Sequence, residues 1–221
     1  RNANSKRGSR RNISYHYDLG NEFYQQWLDP SMTYSAAYYS SEHQTLAEAQ
    51  YAKYQRIIDL LDIKDGDTIL EIGCGWGGFA EQLCSQKKVK LHGITLSERQ
   101  LEFAQQRLAK AETLGDAEFS LTDYRDTVGQ YDHIVSIEML EAVGEKYWPT
   151  YFETVQKRLK PGGRAAIQII TIEDKRFEQY RSNPDFIQTY IFPGGMLPTP
   201  DKFKEQAVGA GLTVSDEEAF G

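Results

Sequence analysis

The chain has 221 residues, 40% of them hydrophobic and 26% charged, with a formal net charge of −7 at pH 7. That length fits one α/β domain with some extra helices, and the apolar share is enough for a core. The acidic balance excludes wholesale nucleic-acid binding, and the two cysteines, Cys74 and Cys84, form no metal-ligand pattern. No apolar run approaches a membrane span and no signal peptide is visible, so a soluble chain in a reduced, cytoplasmic setting is expected.

Residues 1–14 read as a basic flexible arm, since Arg1, Lys6, Arg7, Arg10 and Arg11 occur there with no acid and no apolar run. Such an arm is either a solvated tail or a contact for the anionic phosphates of lipid headgroups. Residues 15–62 form an N-terminal helical cap region. It is aromatic-rich and irregular at first, with a short helix around 22–28 that Asp29-Pro30 stops. A second helix follows over 45–62, with Ile57, Leu60 and Leu61 on its inner face.

Residues 63–221 alternate strictly between strands and helices. Strand one is 68–72, and four glycines follow within six positions, at 73, 75, 77 and 78. A helix covers 77–86 and strand two 90–95. Ser97 and Gln100 read as a capping box that opens a helix with Leu101, Ala104 and Leu108 on one face. Strand three is 117–122 and strand four 133–137. A helix over 147–159 ends in Lys160-Pro161-Gly162-Gly163, strand five is 164–170, residues 200–210 are helical, and 212–219 form a sixth strand. This alternation requires crossovers, hence a parallel sheet with helices on both faces. Ligands of such sheets sit at the carboxyl ends of the strands, where residues 73–75, 95–100, 123–125 and 138–141 gather.

The glycine turn suits two cofactors, because Gly73, Gly75 and Gly78 also satisfy the dinucleotide spacing. A dinucleotide site wants an acid at the tip of strand two. The tip is Thr95-Leu96, and the nearby Glu98 belongs to the capping box. Glu71, placed before the first glycine, suits a cationic ligand instead, and S-adenosylmethionine carries a sulfonium and an ammonium that favour acceptors and aromatic faces. Asp123 and Tyr124 are placed to hold an adenine by its amino group and by stacking.

The arrangement resembles a class I methyltransferase and, more specifically, the cyclopropane fatty acid synthase family. The matching segments are 15–24 (YHYDLGNEFY), 32–35 (MTYS), 70–78 (LEIGCGWGG), 93–97 (GITLS), 123–126 (DYRD), 134–137 (IVSI), 139–141 (MLE), 143–144 (VG) and 190–198 (YIFPGGMLP). The resemblance implies a Rossmann-like, mostly parallel sheet beneath an N-terminal helical cap. It also implies that the family's last strand or strands belong after Gly221, so the chain is expected to be incomplete, as its first residue, Arg1, also suggests. The implied activity is methyl transfer from S-adenosylmethionine to unsaturated acyl chains of phospholipids, by a cytoplasmic enzyme peripheral to the inner face of a membrane. Tyr34 and Ser35 would close over the methionine part of the cofactor, with Gly73 and Gly75 beneath. Thr95 and Gln100 would meet the ribose side and Tyr124 the adenine. Loop packing at Tyr34 and Ser35, and helix capping by Gln100, are the plain alternatives.

The resemblance further implies that an alkene attacks the sulfonium methyl and that bicarbonate then removes a proton, held by a cysteine, a glutamate, a histidine and nearby backbone. Glu141 matches the glutamate, whereas Ala36 stands at the cysteine position, Gln168 at the histidine position, and Ala142 where a histidine usually follows the glutamate. Alanine cannot donate from its side chain, and glutamine cannot shuttle a proton near neutral pH. Glu141 and Gln168 are therefore the candidate catalytic residues, and the product stays open between a cyclopropane, a methyl-branched and a methylene chain. A solvated carboxylate is the alternative for Glu141. None of the four histidines has ligand spacing, Tyr147, Trp148 and Phe152 read as packing, and residues 186–198 read as a wall for the acyl chain. A small-molecule N- or C-methyltransferase and a non-catalytic cofactor- or lipid-binding module are the other function classes considered. A nicotinamide dehydrogenase is remote.

Overall fold

Four of the five residues of β1 (Thr68–Ile72) are buried, as a strand covered on both faces requires. A computed structural model of the chain describes residues 4–17 and 20–220, the side chains of residues 7, 11 and 14–17 excepted. Arg1, the side chains of Arg7 and Arg11 of the expected arm, the ring of His16 and much of the 15–24 segment lie outside the described residues.

Around β1 lie β2 (Lys90–Thr95), β3 (Asp116–Leu121), β4 (Tyr131–Ile137) and β5 (Leu159–Gln168). They form a parallel sheet in the order β3-β2-β1-β4-β5. The chain leaves β1 toward one side of the sheet and returns on the other through β4, so the crevice between β1 and β4 is the topological switch point where such sheets bind ligands. The register places Ile72 beside Ile94 and Ser136, Thr95 beside Leu121, and Ile137 beside Gln168. All five carboxyl ends therefore finish at one edge.

Side chains alternate across the strands, which builds two cores. On one face Ile69, Leu91, Phe119 and Val135 pack against α3 (Leu46–Leu61), α4 (Gly78–Gln86) and α5 (Glu98–Lys110). On the other Leu70, Ile72, Ile94 and Ile134 meet α6 (Trp148–Arg158), α8 (Pro200–Gly209) and Phe177 of α7 (Asp174–Ser182). Trp148 and Phe152 are buried there, as their packing role requires. Glu71 shares the parity of Ile69 and so points into the α3–α5 side.

Several boundaries differ from expectation. The arm carries a helix, α1 (Lys6–Tyr17), because its polar residues find partners: Asn4 donates to the Gly194 carbonyl, Asn12 to that of Pro193, and Lys6 pairs with Asp126. The short helix expected at 22–28 is one turn, α2 (Asn21–Tyr24), followed by turn backbone. β5 begins five residues earlier than expected and ends two earlier. Residues 212–219 form no strand, since among the described residues β5 is an edge with no further partner. At α5 only half of the capping box forms: Ser97 accepts from the Gln100 N–H, but the Gln100 side chain turns to Thr95. The complete box sits at Thr45 and Glu48 of α3.

Candidate active site

The glycine turn is pinned to the next strand, with the Gly73 and Cys74 N–H groups both donating to the Ile94 carbonyl at 3.0 Å. Gly75 has φ +53°, and a Cβ there would meet nothing within 4 Å. Its backbone therefore faces open space, which only glycine permits at no steric cost. That space is a cleft of about 1140 Å³, counting its open mouth, and all nine positions expected to bind a cofactor, from Tyr34 to Tyr124, line it. Glu141 and Gln168 are not on its wall.

At the floor, Glu71 is 3% exposed and its Oε2 is sealed without a partner. Desolvation alone raises this carboxyl from 4.5 to about 8. Thr95 Oγ1 donates to Gln100 Oε1 at 2.8 Å, and no hydrogen bond within the described residues engages the Gln100 amide nitrogen. Glu98 lies outside the cleft and meets Arg10 instead, so no acid marks the tip of β2. Asp123 is less free than expected. Its Oδ1 accepts from the backbone and Nε of Arg125 and its Oδ2 from Nη2, at 3.0, 2.7 and 2.6 Å. Arg125 also donates to the carbonyl of Asn4 and to Ser9, so the same pair fastens α1 over the cleft. Tyr124 beside it is buried, which raises its hydroxyl to about 12.

The 32–36 loop forms the opposite wall. Tyr34 lies among Tyr24, Trp27 and Phe192, with ring centroids 5.6, 5.2 and 6.3 Å away. Two side chains of α3 fix this loop: Gln50 donates to the Ser35 carbonyl at 2.8 Å, and Lys53 donates to Ser35 Oγ, the Ala36 carbonyl and Gln50 Oε1. Lys53 is 1% exposed, and desolvation lowers it to about 7 against the pull of Glu138 and Asp29. Sequence reasoning missed Gln50 and Lys53. Both interrupt the apolar stripe of α3 (Tyr54, Ile57, Ile58, Leu61), and a polar residue on a buried stripe was the available signal.

Beyond β4 the two candidate catalytic residues separate. Glu141 Oε1 accepts from the Ile170 N–H at 2.6 Å while Oε2 is sealed without a partner. Desolvation, helped by the charge of Glu138, outweighs that hydrogen bond and lifts Glu141 to about 7. Gln168 reaches Glu138 instead, donating to its Oε1 at 2.9 Å, and the Ala36 N–H donates to the same oxygen at 2.7 Å. Glu138 lines the cleft at φ +48°. It lies within the 138–141 cluster, but nothing in the sequence singled it out. Among the described residues no group of three or more His, Cys, Asp or Glu is placed to hold a metal ion.

A family model described as mycolic acid cyclopropane synthetase matches residues 4–221. The chain belongs to this family. It is 42% identical over 205 residues to a tuberculostearic acid methyltransferase of Mycobacterium tuberculosis, covering 88% of this chain and 47% of the relative. A cyclopropane-fatty-acyl-phospholipid synthase of Escherichia coli is 43% identical over 185 residues, covering 83% of this chain and 46% of that one. The chain thus spans about half the length of the curated relatives it matches. A solved mycolic acid cyclopropane synthase, complexed with SAH (S-adenosylhomocysteine) and CTAB, superposes with a TM-score of 0.86 at 32% identity, over 94% of this chain and 76% of that one. The fold is accordingly the Rossmann-like class I methyltransferase fold.

A bicarbonate ion does not fit this site as the family resemblance places it. The backbone donor at Ala36 is taken by Glu138 and that at Ile170 by Glu141. A third anion would meet these two carboxylates, and the charge of Glu138 already raises Glu141.

Proposed function

We propose that the chain is an S-adenosylmethionine-dependent C-methyltransferase acting on the double bond of unsaturated acyl chains of phospholipids. The observation that carries this is the sealed, partnerless carboxyl of Glu71 beneath a glycine backbone open to the cleft. A cationic ligand supplies what that carboxyl lacks, so the residues fit the cofactor. When bound, S-adenosylmethionine supplies an electrophilic methyl group on a sulfonium. The other roles belong to the chain. Gly73 and Gly75 admit the ligand, Gln100 offers its amide nitrogen to a ribose, and Tyr124 stacks on an adenine. Tyr34, with Tyr24 and Trp27 behind it, presents aromatic surface to the cation. Lys53 and Gln50 hold the 34–36 loop in place.

Support for a lipid substrate comes from the apolar segment that contributes Phe192 to the cleft, where Phe186 and Tyr190 are 65% and 63% exposed. Exposed aromatic residues on a segment that reaches the cleft suit a chain drawn from a membrane surface, and among the described residues no helix is long and apolar enough to cross one. The relatives' printed names include both methyltransferases and cyclopropane synthases, so methyl transfer is what they share. We infer a methyl-branched or methylene product in preference to a ring, because Ala36 and Gln168 replace the side chains that the ring-closing pattern uses.

The test incubates the purified protein with methyl-labelled S-adenosylmethionine and vesicles of unsaturated phospholipid. Label is expected in the acyl chain, with fragmentation locating the new carbon. Label absent from lipid and present on small amines would refute the assignment in favour of an N-methyltransferase.

A further inference from the structure

We propose that Glu138 is the resident anion of this site and its proton acceptor, standing where the family resemblance puts bicarbonate. The inference rests on the lipid-methylating reading above and names the group that completes it.

Its geometry is that of a bound anion. Oε1 accepts one hydrogen bond from a backbone N–H, Ala36, and one from a side-chain amide, Gln168. The Gln168 amide also reaches the Ala36 carbonyl at 3.3 Å, tying both donors together. These are the positions of the family's cysteine and histidine, here stripped of thiol and imidazole yet still supplying N–H groups. Both hydrogen bonds end on Oε1, so Oε2 remains for the cleft that Glu138 lines. The backbone is bent to present it: a non-glycine residue at φ +48° costs about 1 kcal/mol, and such strain persists where the surroundings hold it for use. The titratable neighbours are Lys53 behind the loop, Tyr34 beside it and Glu141 on the far side.

The chemistry balances with these atoms. The alkene π pair forms the new C–C bond to the methyl carbon, and the pair of the broken C–S bond stays on sulfur. Positive charge then lies on a chain carbon. Glu138 Oε2 takes a proton from the transferred methyl group. The released C–H pair becomes a methylene double bond when a hydride has first moved to the adjacent carbon, or a ring bond when it has not. The carboxylic acid returns its proton to water.

Two variants test this. Glu138→Gly removes the carboxylate and relieves the positive φ, so it leaves the fold intact; Glu138→Gln fills the same space without basicity. The wild type is expected to methylate lipid at one rate in CO₂-depleted buffer with or without added bicarbonate, and not to broaden the ¹³C-bicarbonate NMR signal. Glu138→Gly is expected to lose about 10²–10⁴-fold in rate, the usual worth of a positioned base, to recover with bicarbonate or formate, and to broaden the signal. Glu138→Gln is expected to be slow and beyond rescue. A wild type that needs bicarbonate, or Glu138→Gly working at full rate in its absence, overturns the proposal. If the wild type labels no lipid under any condition, the substrate assignment fails, and the NMR comparison still decides whether Glu138 fills the anion site.

Discussion

Binding of S-adenosylmethionine at pH 7 should release a proton from Glu71. Burial holds this carboxyl at about 8 in the empty cleft, so about nine molecules in ten carry the proton at pH 7. A cation beside the Glu71 carboxyl favours the carboxylate. Returning the group from about 8 to 4.5 corresponds to on the order of 5 kcal/mol, an upper limit on what the cation gains there. Isothermal titration calorimetry in phosphate and in Tris, whose ionisation heats differ, counts the proton. About 0.9 should be released by the wild type and none by Glu71→Gln, which separates Glu71 from Glu141 and Lys53, both near 7. The sign in the free protein follows from the same shift. A raised carboxyl contributes stability that is complete below its unfolded value of 4.5 and lost as pH climbs through 8. Glu71→Gln should therefore be the more stable protein above pH 8. Equal apparent enthalpies in the two buffers would refute the placement of the cation at Glu71.

Three other substitutions probe the frame around that contact. Gly75→Ala puts a methyl into the open cleft at φ +53°, and should cost about 1 kcal/mol in denaturant unfolding while greatly weakening S-adenosylhomocysteine binding by calorimetry. Gly93→Ala should unfold more readily by about 1–3 kcal/mol, since its Cβ would lie 2.6 Å from the Phe119 ring and 3.0 Å from Cys74. Lys53→Met keeps the bulk but frees Ser35 and Ala36; steady-state kinetics should show KM for the cofactor rising about tenfold, the worth of a charged hydrogen bond, with a smaller change in kcat.

What the sequence made legible was whatever depends on neighbours in the chain. β1 and β2 were expected at 68–72 and 90–95 and are found there, because short apolar runs bounded by turns admit one assignment. The nine cleft positions follow from strand order, since each stands within a few residues of a strand's carboxyl end or in a loop that the family resemblance marks. Helix α1 was not legible, because its stability comes from residues more than a hundred positions away, such as Asp126 and Gly194. Nor was the division of the carboxylates. Asp123 is occupied by Arg125, two residues on, and Glu138 by Ala36 and Gln168, and the Glu138 pairings exist only once β4 and β5 lie side by side with the 32–36 loop against them.

The proposed chemistry moves one positive charge across the cleft, and the acids are spaced along that route. Charge enters on sulfur near Glu71, passes to a chain carbon, and departs as a proton. A site with all its carboxylates ionised and empty would repel itself, and burial lessens this by raising Glu71 to about 8 and Glu141 to about 7. Glu138 differs because its Oε1 accepts two hydrogen bonds. The buried Lys53 is kept behind Ser35 and Ala36, where it steadies the loop without facing the cation. The sheet edge thus gives the three acids different numbers of donors, with Glu71 Oε2 meeting none, Glu141 Oε1 one and Glu138 Oε1 two.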